Sequence, residues 1–283
     1  MAAPTSCSAS NATSASDADI VLLRGLIRSR FHWGPFAPLV EQQWPERRLW
    51  QPELPGNGYA HQRRSPASIS AMTDVIRDQV ITSKPVVVIA ISMGAMVACD
   101  WAKRFPTEVK ELHLINTSFA NMAKPWQRLQ PKAVFALLRA ARHWSTDPAA
   151  LEHTVWQQTV QLGPLAEQDI DIISDWITFA RQHPIKASNA LRQMWAASRF
   201  RAPKSKPCQH TYIYASKQDA LVDWQCSLAI SQRWECSLLT HATAGHDLPL
   251  QDPGWLLHQI AQQSATLHND QCATNTTATA DSE

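Results

Sequence analysis

The sequence predicts an α/β domain: a mostly parallel sheet with helices on both faces, interrupted by an all-helical insertion. Three observations carry this. Short β-branched apolar runs alternate with longer stretches of helical apolar spacing, the pattern of strands joined by helical crossovers. One run, VVVIAISMGAMVAC from Val86 to Cys99, passes from strand to helix through a single tight turn at Ser92. Between about Ser118 and Arg201 no convincing strand occurs, over a stretch too long for a loop.

The elements follow in order. Residues 20–23 read as a buried strand, followed by the loop Arg24-Gly25-Leu26. Residues 38–43 read as a short helix and 48–51 as a second strand, closed by the turn-rich loop 53–58. Apolar spacing gives a helix over 69–81. Residues 85–91 are the central strand, and 93–105 a helix that Pro106 ends. Residues 111–115 form another strand. In the strandless stretch, 132–143, 148–162, 167–182 and 185–200 have helical spacing. Strands return at 211–215 and 237–241. Asp252-Pro253 is an N-cap followed by proline at the first helical position, opening a last helix to about Leu267.

These elements divide the chain into a core of 18–117 and 202–267, a helical cap of 118–201, and Ser/Thr/Ala-rich tails, 1–17 and 268–283, expected to be disordered. The first tail has neither a cationic start nor an apolar stretch, so it does not read as a secretory signal. With 45% apolar residues, 283 residues bury a sizeable core. The net charge of +2 supplies no field toward nucleic acid or a membrane, and no apolar run is long enough to span one. The six cysteines show neither a CxxC nor a metal-ligand spacing, so unpaired thiols in a reducing, cytoplasmic setting are expected. Trp126, Trp144, Trp156, Trp176 and Trp195 fall in the insertion, where packing onto the core is the expected role. Trp126 and Trp156 are also candidates to line a substrate pocket, expected to be closed and mainly apolar.

The turn at Ser92 points to chemistry. A serine on a strained strand-to-helix turn needs small neighbours, and Ala90 and Gly94 flank it at two residues either side. Such a serine needs a base, and the base an orienting acid. Of eleven histidines, His246 stands out in the loop AGHDLP after the last predicted strand. Its one serious rival is His241, at that strand's end. Asp219 lies in the loop after the strand at 211–215, with Asp223 four residues on as the fallback acid. The order Ser, acid, His follows.

Four segments together resemble the α/β-hydrolase superfamily, over about 20–267. LLRGL at 22–26 is similar to its oxyanion loop, ELPGNG at 53–58 to its DLPGxG turn, AISMG at 90–94 to its nucleophile elbow, and AGHDLPLQDP at 244–253 to its histidine loop. The resemblance implies Ser92 as nucleophile, His246 as base, Asp219 as acid, and the Leu26 and Met93 backbone N–H groups as the oxyanion hole. It identifies the insertion with the family's helical cap. Three positions depart from the pattern. Ala90 replaces the first elbow glycine, and Glu53 replaces an aspartate, a change expected to matter little. Arg24 stands, beside Gly25, where many members have histidine. Two readings of Arg24 are open: it holds an anionic group of a substrate in the pocket, or it is structural, pairing with a nearby carboxylate or bracing the loop through carbonyls.

The implied reaction is hydrolysis of a small-molecule carboxylic ester through an acyl-enzyme. A serine at position 92 argues against the aspartate-dependent members of the superfamily. Thioester or carbon–carbon hydrolysis on the same residues is the alternative within enzymes, and a ligand-sensing protein the alternative outside them. Arg128, Arg139, Arg142, Arg192, Arg199 and Arg201 make the insertion locally basic, either a solvated face or a seat for an acyl carrier protein. No phosphate loop, metal cluster or dinucleotide motif is present, so no cofactor and no metal are expected.

Overall fold

The computed structural model describes residues 18–142, 147–160 and 167–280. The tail 1–17, His143, Trp144, the 161–162 end of one expected helix and the last residues, 281–283, lie outside the described residues. Six strands form one sheet: β1 (Asp19–Leu23), β2 (Leu49–Trp50), β3 (Val86–Ile91), β4 (Val109–Ile115), β5 (His210–Ser216) and β6 (Leu238–His241). Their order is β2-β1-β3-β4-β5-β6, and every pairing is parallel. Each strand lies within a residue or two of its expected place.

Side chains alternate between the two faces, as the two-residue strand period demands. Ile20 and Leu22 of β1 pack with Ile89, Ile91, Ile115 and Tyr214 against α1 (Phe36–Gln43) and the start of α11 (Pro253–Ala280). Val21 and Leu23 pack with Val86, Val88, Leu112 and Ile213 on the opposite face. There they meet α2 (Ile69–Arg77), α3 (Met93–Arg104) and α9 (Gln225–Trp234). Both faces are apolar because both are covered.

Several helix boundaries differ from expectation. Helix α2 starts at the Ser68 cap, whose Oγ accepts from the Ala71 N–H, but stops at Arg77 rather than 81. Just beyond it, the Gln79 side chain exchanges two hydrogen bonds with the Glu53 backbone, which fixes the turn. Helix α9 is absent from the sequence reading. Its buried positions are Cys226, Ser227, Ile230 and Trp234, so only two large apolar residues mark its inner face. Helix α11 continues past Leu267 to Ala280, and 268–280 contains neither Gly nor Pro to break it.

Between β4 and β5 lie α4 (Pro125–Arg128), α5 (Pro131–Ala141), α6 (Pro148–Thr159), α7 (Glu167–Gln182) and α8 (Ala187–Arg199). Four match expected helices, and short α4 is new. Asp147 caps α6 by accepting from the Ala150 N–H, with Pro148 at the first position. A last short helix, α10 (Leu248–Gln251), precedes α11. The inserted tryptophans divide. Trp156 and Trp176 are buried with Ile173 in a cluster that Phe31 and Leu250 join from the core. Trp126 and Trp195 are more than half exposed.

Candidate active site

The carboxyl ends of five strands share one sheet edge. Register pairs Leu23 with Ala90, Ile91 with Ile115, Ile115 with Tyr214, and Ser216 with His241. The loops carrying the candidate residues leave from this edge, where open parallel sheets place their binding crevices.

Ser92 sits between β3 and α3 at φ 57°, ψ −120°, a region that L residues other than glycine rarely adopt. Its neighbours explain how the turn closes. A Cβ on Gly94 would lie 2.5 Å from the Leu23 carbonyl oxygen and 2.6 Å from that of Arg24, so no larger residue fits there without moving backbone. A Cβ on Gly25 would lie 3.0 Å from the Ser92 Cβ. The loop after β1 is thus pressed directly against the serine. From the loop after β4, Thr117 Oγ1 donates to the Ser92 carbonyl at 2.9 Å.

His246 and Asp219 are brought together. His246 Nδ1 is 2.6 Å from Asp219 Oδ2, and both residues are buried. The other oxygen, Oδ1, accepts the Leu221 and Val222 N–H groups, each at 2.8 Å. The carboxylate is therefore held on both sides, and Nδ1 is the proton-bearing nitrogen facing it. In a neutral imidazole oriented this way, Nε2 is the acceptor. No hydrogen bond joins the Ser92 hydroxyl to the imidazole among the described residues. Catalytic contacts of this kind are often long before substrate binds. The fallback Asp223 instead accepts the Gln225 N–H at the start of α9. The rival His241 accepts the Ala244 N–H and faces Asp252 at 3.1 Å.

Neither the Leu26 nor the Met93 backbone N–H donates to a protein acceptor among the described residues. Arg24 is pair-forming: its guanidinium meets Asp247 through two hydrogen bonds of 2.9 and 2.6 Å, with both side chains buried. Of its two readings, the ion pair is the one present. Arg28 pairs similarly with Glu152 of α6 at 2.7 Å. Burial, then the charges of Arg28 and Arg24, push the His32 imidazole well below its usual pKa. Burial likewise raises the Glu53 carboxyl to about 7, opposed by the Arg30 N–H it accepts at 2.7 Å.

Beneath the insertion, α6, α7 and the loop after β1 line a cavity of about 40 Å³ that touches neither Ser92 nor His246, so it is not the closed pocket expected over the serine. Ile27, Leu151 and Phe179 line it together with charged Arg28 and Glu152, so its wall is mixed. Exposed Trp126 is not among its lining residues; the Lys124 ammonium lies over its ring. Trp156 is buried within the insertion cluster. Of the six arginines, Arg128 donates to the Ala197 and Ser198 carbonyls and Arg192 to that of Ser65. Arg139, Arg142, Arg199 and Arg201 remain exposed.

Sequence reasoning missed three residues here. Asn116, at φ 45° just after β4, donates to the His246 carbonyl at 2.8 Å and accepts the Ser216 N–H at 2.8 Å. It ties the ends of two strands to the histidine loop. An asparagine at a strand's carboxyl end, tolerant of left-handed backbone, was the available signal. Gln130 donates to the Asp219 carbonyl at 2.7 Å. Gln193 of α8 accepts the Ile27 N–H at 3.0 Å. Nothing in the sequence marks either glutamine.

The chain belongs to the alpha/beta hydrolase fold family, whose model matches residues 20–253. It is 34% identical over 87 residues to the pimeloyl-(acyl-carrier protein) methyl ester esterase of Xylella fastidiosa strain M12. That match covers 31% of this chain and 32% of the relative, so about a third of the relative's length is spanned. Among solved structures, a thermophilic esterase from Thermogutta terrifontis superimposes with a TM-score of 0.65 at 18% identity, covering 89% of this chain and 90% of that one. The 2-hydroxy-6-oxo-6-phenylhexa-2,4-dienoate hydrolase from Rhodococcus sp. strain RHA1 gives 0.67 at 14% identity, covering 89% and 92%. At these identities the structural likeness is one of fold.

Proposed function

We propose that this member of the alpha/beta hydrolase fold family is a serine hydrolase that cleaves a small-molecule carboxylic ester through an acyl-enzyme. The observation that carries the reading is the His246–Asp219 contact of 2.6 Å, in loops on the same sheet edge as a serine held at φ 57°. Asp219 fixes the His246 ring with Nε2 free to take the Ser92 proton. Ser92 Oγ then attacks the ester carbonyl. The Leu26 and Met93 N–H groups receive the tetrahedral oxygen, each donor of this kind being worth ~3 kcal/mol in the transition state. His246 returns the proton to the leaving alcohol, and water repeats the sequence on the acyl-enzyme. Helices α4–α8 act as a cap over this edge. The reaction needs no cofactor or metal. A soluble, cytoplasmic setting fits the reading, and no described helix is long and apolar enough to cross a membrane.

A second substrate class, an acyl methyl ester carried by an acyl carrier protein, is favoured by the local match to the Xylella esterase. The exposed Arg139, Arg142, Arg199 and Arg201 would receive the acidic carrier. Comparing a carrier-bound ester with the same free ester separates the two classes.

The test of the reaction is labelling with a fluorophosphonate probe, with the modified peptide mapped. Labelling is expected at Ser92 and lost, along with ester hydrolysis, in Ser92→Ala. Labelling elsewhere, or full hydrolysis by that variant, overturns the reading.

A further inference from the structure

We infer that Gln193, on helix α8 of the insertion, is a positioning residue that sets the backbone of the oxyanion loop. The inference rests on the serine-hydrolase reading above and extends it to a residue far from Ser92 in sequence. The loop in question is Gly25–Arg28. It begins against the serine, since a Cβ on Gly25 would meet the Ser92 Cβ at 3.0 Å. It continues through Leu26, whose N–H has no protein acceptor among the described residues. It then reaches Ile27, which stands at φ 52°. A β-branched residue in the left-handed region is disfavoured and persists only where surrounding contacts impose it.

Those contacts come from Gln193. The residue is fully buried. Its Oε1 accepts the Ile27 N–H at 3.0 Å, and its Nε2 donates to Asn57 Oδ1 at 2.7 Å and Ser65 Oγ at 2.9 Å. Asn57 in turn donates to the Arg28 carbonyl at 2.8 Å. The amide N–H of Ile27 and the carbonyl of Arg28 are thereby gripped by one connected pair of side chains. Two successive points of the backbone are therefore fixed from outside, and the Arg28 N–H closes the turn on the Gly25 carbonyl at 3.3 Å, so the Leu26 N–H between them inherits a set direction. Apolar contact between Ile27, Leu151, Val155 and Ala190 closes the other side. The insertion therefore does more than cover the sheet edge: through one amide it holds the half of the oxyanion hole that lies outside the elbow.

The test compares three variants. Gln193→Met keeps the volume and removes the polar contacts to Ile27, Asn57 and Ser65. Gln193→Glu keeps an acceptor for the Ile27 N–H. Asn189→Ala removes a neighbouring tie between α8 and the same 55–65 loop, since Asn189 bonds the Ser65 N–H and the Arg63 carbonyl but not Ile27. For a soluble short-chain p-nitrophenyl ester, Gln193→Met is expected to lower kcat by about tenfold to a hundredfold, the scale of a misplaced catalytic group. KM should stay within about twofold, because the donor acts in the transition state. Hydrogen exchange at the Ile27 amide should accelerate. Gln193→Glu, which keeps the Ile27 acceptor but loses the donor to Asn57, should fall between Gln193→Met and the wild type in kcat. Asn189→Ala should lower the melting temperature while keeping kcat and Ile27 protection. Equal kcat losses in Gln193→Met and Asn189→Ala, or an unchanged kcat in Gln193→Met, would overturn the inference. If Ser92→Ala still hydrolyses the ester, the underlying reading fails instead. Ile27 exchange then reports the clamp independently of activity.

Discussion

Arg24 and Asp247 form a bidentate ion pair across the candidate site, Nη1 to Oδ1 at 2.9 Å and Nη2 to Oδ2 at 2.6 Å, with both side chains almost wholly removed from solvent. Asp247 directly follows His246, and Arg24 directly precedes Gly25. The pair therefore joins the histidine loop to the loop that presses on Ser92. The Asp247 N–H also donates to the Thr159 carbonyl at 2.7 Å, drawing α6 to the same point.

Breaking one half of this pair strands a buried charge. Asp247→Leu or Arg24→Met alone is expected to destabilise the fold by about 3–5 kcal/mol, and the double change Arg24→Met/Asp247→Leu by much less. Urea unfolding of the two single variants and the double reads this as a coupling energy. Additive losses would show that the pair contributes little as a unit.

The acid can be tested against its neighbour. Asp219→Asn removes the carboxylate that fixes the His246 tautomer and should lower kcat by up to about 10⁴, as in other triads. Asp223→Asn should be mild, because Asp223 bonds the α9 terminus rather than the imidazole. The reverse ranking in steady-state kinetics would move the role to Asp223.

Gly94→Ala should disrupt the elbow, since the added methyl meets two backbone oxygens, at 2.5 and 2.6 Å. We expect loss of probe labelling at Ser92 together with a lower melting temperature. Normal labelling in Gly94→Ala would show that the turn relaxes more easily than this geometry allows.

Glu53 makes stability fall as pH rises. Burial lifts its carboxyl in the folded state from the ordinary 4.5 to about 7. The folded state therefore holds its proton longer than the unfolded state. The neutral carboxyl's advantage is full below about 4.5 and is lost as pH climbs to 7, a swing of up to about 3 kcal/mol. Glu53→Gln should flatten the unfolding free energy across that window. Glu111 acts oppositely, at the acid end. Burial works to raise its carboxyl, but the His113 and Ser264 contacts outweigh this and bring it down to about 2, so its contribution disappears as pH falls from 4.5 toward 2. A Glu53→Gln profile matching the wild type between pH 4.5 and 7 would refute the first assignment.

What the sequence determined by itself is the local framework. Strand periodicity, the Ser92 turn, the Asp252 cap position and the stop at Pro106 depend on neighbours along the chain, and each is readable there. So are the residues at strand carboxyl ends, because a parallel sheet brings those ends to one edge whatever the details. Which side chains meet across that edge was decided only by the tertiary structure. Arg24 reads equally as an anion binder or an ion-pair partner until Asp247 is brought opposite it. Helix α8 shows the limit most clearly. Its apolar residues suggest a hydrophobic inner face, yet it buries Asn189, Ala190, Gln193 and Ala196 and exposes Leu191, Met194 and Trp195. The buried face spans one helical stripe, but its polar members are stable there only because Ile27, Asn57 and Ser65 supply their hydrogen bonds from distant segments. A buried amide is specified by its partners, and no pattern local to the helix encodes them.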